Sequence, residues 1–149
     1  MVKTLVFGLG SAHGDDQLGW LVVDGLARAI SHADIELRHG TSPSDLFDAL
    51  DGVDRLFVCD ACHSHGTPGI VHRWRWPDLP LALLRGGGSH NLGLGEVLTL
   101  AAQLSSLPAE VNVYTVSIAS VSPATPLSSA VKAAADQLVG DLIRQLLSD

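Results

Sequence analysis

Apolar and polar positions fall in blocks along the chain, and the period changes from block to block. Thr4-Leu5-Val6-Phe7 is an apolar run that breaks at a glycine-rich stretch, Gly8 to Gly19, and it predicts a first strand over about Lys3 to Gly8. Leu18, Leu21, Val22, Gly25, Leu26 and Ala29 then recur at helical spacing, so a helix is expected from Leu18 to Ile30. Ile35 to His39 reads as a second, short strand. Ser42-Pro43-Ser44-Asp45 carries the signals of a helix start: Ser42 as N-cap, Pro43 at the first helical position, Asp45 in capping-box position. The helix from Ser44 to Leu50 would bury Leu46, Phe47 and Leu50 and stop at Gly52.

Arg55-Leu56-Phe57-Val58-Cys59-Asp60 is a nearly continuous apolar strand that ends in a carboxylate. A strand apolar on both faces belongs in a central parallel sheet covered by helices. Ala61 to Gly69 reads as a polar loop. From Ile70 to Trp76 the period is two, which predicts an edge strand with one wet face, antiparallel to its neighbour. Asp78 to Gly88 is a proline- and glycine-rich connection. A helix is expected from Leu92 to Leu104, a strand from Val111 to Ile118, a loop from Ser120 to Thr125, and a long helix from Leu127 to Leu147 with the stripe Val131, Ala135, Leu138, Leu142, Leu146. The order β-α-β-α-β-β-α-β-α predicts an α/β fold: one three-layer αβα domain over residues 1–149, with a mostly parallel twisted sheet and one antiparallel edge strand.

Composition narrows the function classes. The chain has 149 residues, 46% hydrophobic and only 17% charged, which suits one compact folded unit. Its net charge of −7 argues against a nucleic-acid or anionic-membrane partner. No apolar run approaches the roughly 18 residues that span a bilayer, and Met1 to Gly8 is too short and too early broken to be a signal peptide, so a cytoplasmic location is expected. Cys59 and Cys62 have C-x-x-C spacing, but no second pair completes a four-cysteine zinc site, and Cys59 ends an apolar run as a buried strand residue would.

In parallel α/β sheets a ligand site lies beyond the carboxyl ends of the strands. Three features fall there: Asp15-Asp16 after the first strand, Asp60 at the end of the third, and Ser89-His90-Asn91 before a helix. Carboxylates and imidazole with open positions suit a borderline divalent ion such as nickel, zinc, iron or manganese. The plainer reading of Asp15 and Asp16 is helix capping, of Asp60 a chain turn, and of His90 a packed or capping side chain. His13, His63 and His65 read as loop histidines. Gly8-Leu9-Gly10 looks like the opening of a dinucleotide fingerprint, but His13 stands where the third glycine belongs, and the two acids that follow would repel a pyrophosphate. No G-x-S-x-G elbow is present.

These residues resemble a known family. Gly8-Leu9-Gly10-Ser11 with Gly14-Asp15-Asp16-Gln17-Leu18-Gly19 is similar to the N-terminal G-x-G-N…D-[DE]-G-x-G motif of the hydrogenase maturation proteases. Cys59-Asp60-Ala61 with Gly66-Thr67-Pro68-Gly69 resembles the second motif, Ser89-His90-Asn91-Leu92-Gly93-Leu94 the S-H-x-x-x-L motif, and Leu127-Ser128-Ser129-Ala130-Val131 the L-S-x-x-V that opens the last helix. The resemblance implies a cytoplasmic endopeptidase, aspartyl-type or metal-assisted, that removes a C-terminal extension from the large-subunit precursor of a [NiFe] hydrogenase after nickel insertion. It implies Ni2+ supplied with the substrate, other divalent metals serving as surrogates, and Asp16, Asp60 and His90 as ligands. Asp15 is left as a helix cap or a partner behind the ligands, and Ser89, His39, Gly40 and Thr41 as substrate-binding or supporting residues. The large-subunit precursor is the expected partner, met by a monomer. Ser11 and Gln17 depart from the family's usual Asn and Gly, and His39 stands near a position where many members carry an acid. Two other functions fit the same residues: a nickel-sensing chaperone that does not cut, and a small-molecule metal hydrolase.

Overall fold

The structure, a computed structural model, describes residues 2–63, 66–80, 92–118 and 126–148. Five strands form one sheet: β1 (Thr4–Leu9), β2 (Ile35–Gly40), β3 (Arg55–His63), β4 (Val71–Arg75) and β5 (Glu110–Ile118), in the order β2-β1-β3-β5-β4. The first four in that order run parallel, and β4 pairs antiparallel with β5 at the edge. Among the described residues three α-helices flank the sheet: α1 (Leu18–Ala29), α2 (Leu94–Gln103) and α3 (Ser129–Leu147). This is the predicted architecture, edge strand included.

Two separate apolar layers explain the continuous apolar runs of the central strands. Val6, Phe57, Cys59, Tyr114 and Val116 face one way and pack with Leu18, Val22 and Leu26 of α1 and Val131, Leu138 and Leu142 of α3. Leu5, Phe7, Leu56, Val58 and Val113 face the other way and pack with Leu46 and with Leu94, Val97 and Leu98 of α2. A parallel strand buried on both sides is mostly apolar at successive positions, and the buried polar side chains it does carry here, such as Asn112, Thr115 and Ser117 of β5, are hydrogen-bonded.

Three elements differ from the periodicity. Residues Pro43–Asp48 form a 3-10 helix rather than an α-helix, with the expected capping box between Ser42 and Asp45. The Asp45 carboxylate accepts from the backbone N–H of Thr41 (3.1 Å) and of Ser42 (3.2 Å), bonds that hold its carboxyl below the usual range. A second 3-10 turn, Gly14–Gln17, precedes α1. Strand β3 runs three residues past Asp60 to His63, because Ala61, Cys62 and His63 stay paired with Val116, Ser117 and Ile118 of β5.

The chain leaves β1 to one side through α1 and β2, and returns to the other side to form β3. The sheet therefore reverses between β1 and β3, and the crevice beyond their carboxyl ends is the usual ligand position of such a sheet. Helix α1 starts directly on that crevice. A Cβ on Gly19 would lie 2.7 Å from the Cys59 carbonyl oxygen, and closer still to that of Leu9. Gly19→Ala must therefore push α1 off β1 and β3, and we expect a loss on the order of 3 kcal/mol, read as a lowered denaturation midpoint.

Candidate metal centre

The last Cα pair between β1 and β3 is Gly8 with Cys59, so Asp60 lies one residue past their paired stretch, level with Leu9 at the end of β1. The 3-10 turn Gly14–Gln17 packs against β3. Three hydrogen bonds close the turn: Ser11 N–H to the Asp16 carbonyl (3.1 Å), Asp16 N–H to the His13 carbonyl (3.0 Å), and the Gln17 side-chain amide to the Gly14 carbonyl (3.0 Å). Gln17 thus works as an internal tie of the turn. Ser11 accepts from His13 N–H at 3.3 Å. Gly14 has φ of +51°, in the region that favours glycine.

Asp15 and Asp16 are adjacent but do different things. Asp15 is buried, and both of its oxygens are taken by one residue 113 positions away: Oδ1 accepts from Ser128 N–H at 2.7 Å, Oδ2 from the Ser128 hydroxyl at 3.0 Å. Asp15 does not cap the helix that follows, which has no side-chain cap; it binds Ser128, the N-cap of α3, instead. Asp16 is half-buried, and its charge reaches Asp60. Burial, and then the Asp16 charge, push the Asp60 carboxyl up to about 8, while the Ala61 N–H pulls it part of the way back. Two acids are held together with one of them barely able to ionise. Burial and a neighbouring like charge are the two causes that raise a carboxyl in this way.

The other expected residues divide by region. Ser89, His90 and His65 lie outside the described residues. Among the described residues no three His, Cys, Asp or Glu side chains come together as a metal site. His39, next to last in β2, is exposed and stacked on the Trp20 ring at 5.1 Å, with Nε2 2.8 Å from Asp24 Oδ1. Trp20, which periodicity gives no reason to single out, donates from Nε1 to the Gly40 carbonyl (3.0 Å), and Gly10 N–H donates to the same oxygen (3.0 Å). Gly40 thereby pins the end of β2 to the glycine turn. Thr41 is bound to Asp45 as described above. His13 and His63 are exposed.

The two cysteines are both free thiols. Three residues apart on a strand, they point to opposite faces. Burial pushes both thiols up, with the Asp60 charge adding to each, so neither is poised as a thiolate.

The chain matches the model of the HycI hydrogenase maturation protease family over residues 22–145. Among solved structures it is similar to an endopeptidase from Escherichia coli, at 23% identity and a TM-score of 0.85, over 99% of this chain and 96% of that one. It is also similar to the hydrogenase maturating endopeptidase HybD from E. coli, at 22% identity and a TM-score of 0.82, over 97% and 92%. A hydrogenase 2 maturation peptidase from Thaumarchaeota archaeon SCGC_AB-539-E09 aligns at 26% identity and a TM-score of 0.69, over 97% of both chains. No curated protein matches the chain.

Proposed function

Because the chain belongs to the hydrogenase maturation protease family, and is by that membership a peptidase, we propose that it removes the C-terminal extension of a [NiFe]-hydrogenase large-subunit precursor once nickel has been inserted. The observation that carries the nickel dependence is the Asp16–Asp60 pair at the sheet's switch point. A divalent ion arriving with the substrate would supply the charge the pair lacks, and Asp60 would give up its carboxyl proton as the ion docks. His90 is proposed as the third ligand. It precedes α2 by four residues, and Leu94 at the start of α2 packs on the same sheet face as Val58, the face on which strand alternation also puts Asp60.

Two fixed acids and one histidine are few enough to engage an ion that the precursor also holds, without stripping it away. An ion docked there supplies Lewis acidity toward the scissile carbonyl. Asp16 and Asp60 orient the substrate by holding its ion, and the half-buried position of Asp60 limits the water that can compete for it.

Nickel-loaded precursor incubated with the protein should lose the mass of its extension, and nickel-free precursor should not. Equal cleavage of both forms would remove nickel from the reading. Retention of the extension by the loaded form would leave a nickel-sensing chaperone as the better account.

A further inference from the structure

We propose that Ser128 is a positioning residue for the acid pair: by occupying both oxygens of Asp15 it fixes the turn that presents Asp16, and so couples the site to the seating of α3. The identity of the ion rests on the functional reading above; the coupling of Ser128 to the turn does not.

Ser128 is the N-cap of α3. Its hydroxyl accepts from Val131 N–H at 3.3 Å while donating to Asp15 Oδ2, and its own N–H goes to Asp15 Oδ1. One serine therefore satisfies a helix N-terminus and a buried carboxylate together. The N-terminal end of the α3 dipole adds a favourable charge interaction with Asp15.

Without these two donors Asp15 would be a buried, unpaired carboxylate next to Asp16. Such a group gains by turning toward water. Asp15 and Asp16 share a peptide bond, so a backbone shift of the turn that frees Asp15 re-aims Asp16. The turn has little slack to absorb it: Asp16 N–H and carbonyl are both bonded within the turn, and a Cβ on Gly10 would lie 2.5 Å from the Asp16 carbonyl oxygen. The two bonds from Ser128 thus select one orientation of Asp16. Groups behind metal ligands that act in this way change metal affinity by about 10- to 100-fold when removed.

The test compares Ser128→Ala, Ser128→Thr and Val131→Ala in the full chain. Val131 is fully buried on the inner face of α3 and makes neither bond to Asp15, so its truncation loosens the helix without touching the clasp. Two readouts are taken: the amide NMR signals of Ser11 and Asp16 in metal-free protein, and binding of Ni2+ alone by titration calorimetry. Ser128→Ala removes the hydroxyl donor to Asp15 Oδ2 and keeps the N–H donor to Oδ1; loss of that one bond should displace both amide signals and weaken Ni2+ binding about tenfold. Ser128→Thr should restore the signals and bring affinity back to within about threefold. Val131→Ala should lower the melting temperature at least as far as Ser128→Ala and leave the turn signals and Ni2+ affinity in place. Unchanged turn signals in Ser128→Ala, or the same displacement in Val131→Ala, overturn the proposal. A parent protein that binds no Ni2+ refutes the cation reading of the site, while the amide signals still decide the role of Ser128.

Discussion

Asp60→Asn should abolish precursor processing and yet give a protein more stable than its parent at neutral pH. The Asp60 carboxyl has an ordinary value of 3.8 and is pushed up to about 8 in the folded chain, by burial first and the Asp16 charge second. The sign of the stability effect follows from proton counting. Between those two values the folded chain holds a proton that the unfolded chain has lost, so stability falls as pH rises across the window and levels off above about pH 8. Asparagine carries no such penalty. The variant's advantage should be absent near pH 4 and grow to on the order of a few kcal/mol by pH 8, seen as a denaturation midpoint that separates from the parent's as pH is raised. Ion binding has the opposite slope. The ion competes with the Asp60 proton, so Ni2+ affinity of the parent should rise by about tenfold per pH unit up to about pH 8, with about one proton released per ion. An Asn variant less stable than its parent at pH 8, or Ni2+ affinity flat between pH 5 and about pH 8, would contradict this account of the pair.

Much of the fold was legible because three strands are buried on both faces. Val6 and Phe7, Phe57 and Val58, and Val113 and Tyr114 point alternately into the two layers, and only an apolar run satisfies both. The edge strand was legible for the converse reason: Arg73 and Arg75 stay exposed while Trp74 and Trp76 pack inward, with Trp74 Nε1 donating to Thr115 Oγ1 at 3.1 Å. Two things were not legible. Strand β3 continues through Asp60 and Cys62 because β5 supplies a parallel partner as far as Ile118, a lateral cause with no trace in local polarity. Pro43–Asp48 carries true helix-start signals, yet over six residues its capping box closes into 3-10 geometry, and the Ala49 N–H bonds back to Leu46 at 2.9 Å.

The site divides along the same line. Asp60 is visible in sequence as a charge that ends an apolar run. Spacing alone does not separate Asp15 from Asp16; the resemblance to the maturation proteases names Asp16, and in the structure Asp15 is tied to a residue 113 positions away. The signal for Ser128 was present, as a serine three positions before the first buried residue of a helix, but it reads only as an N-cap until the fold brings Asp15 to it.

Asp15→Ala and Asp16→Asn should therefore fail in different ways, although they are neighbours of the same charge. Asp15→Ala removes the acceptor for the Ser128 N–H and hydroxyl, both partly buried, and leaves donors at the start of α3 without a partner. The expected cost is about 1–3 kcal/mol of stability, with processing reduced but present. Asp16→Asn keeps the backbone bonds that close the turn, since Asp16 N–H and carbonyl make them rather than its side chain. It also removes the charge that helps raise Asp60, so the Asp60 carboxyl moves back toward its ordinary value and the folded state gains stability at neutral pH. Yet an ion held by Asp60 without Asp16 loses one of its proposed ligands. Processing should fall by at least about a thousandfold, equivalent to the several kcal/mol that a positioned ion contributes at a carbonyl. Chemical denaturation and single-turnover processing of nickel-loaded precursor, measured on the same two variants, separate the roles. An Asp16→Asn protein that unfolds more readily than Asp15→Ala, or that processes faster, would reverse the assignment, with Asp15 as the ion's ligand and Asp16 as the tie.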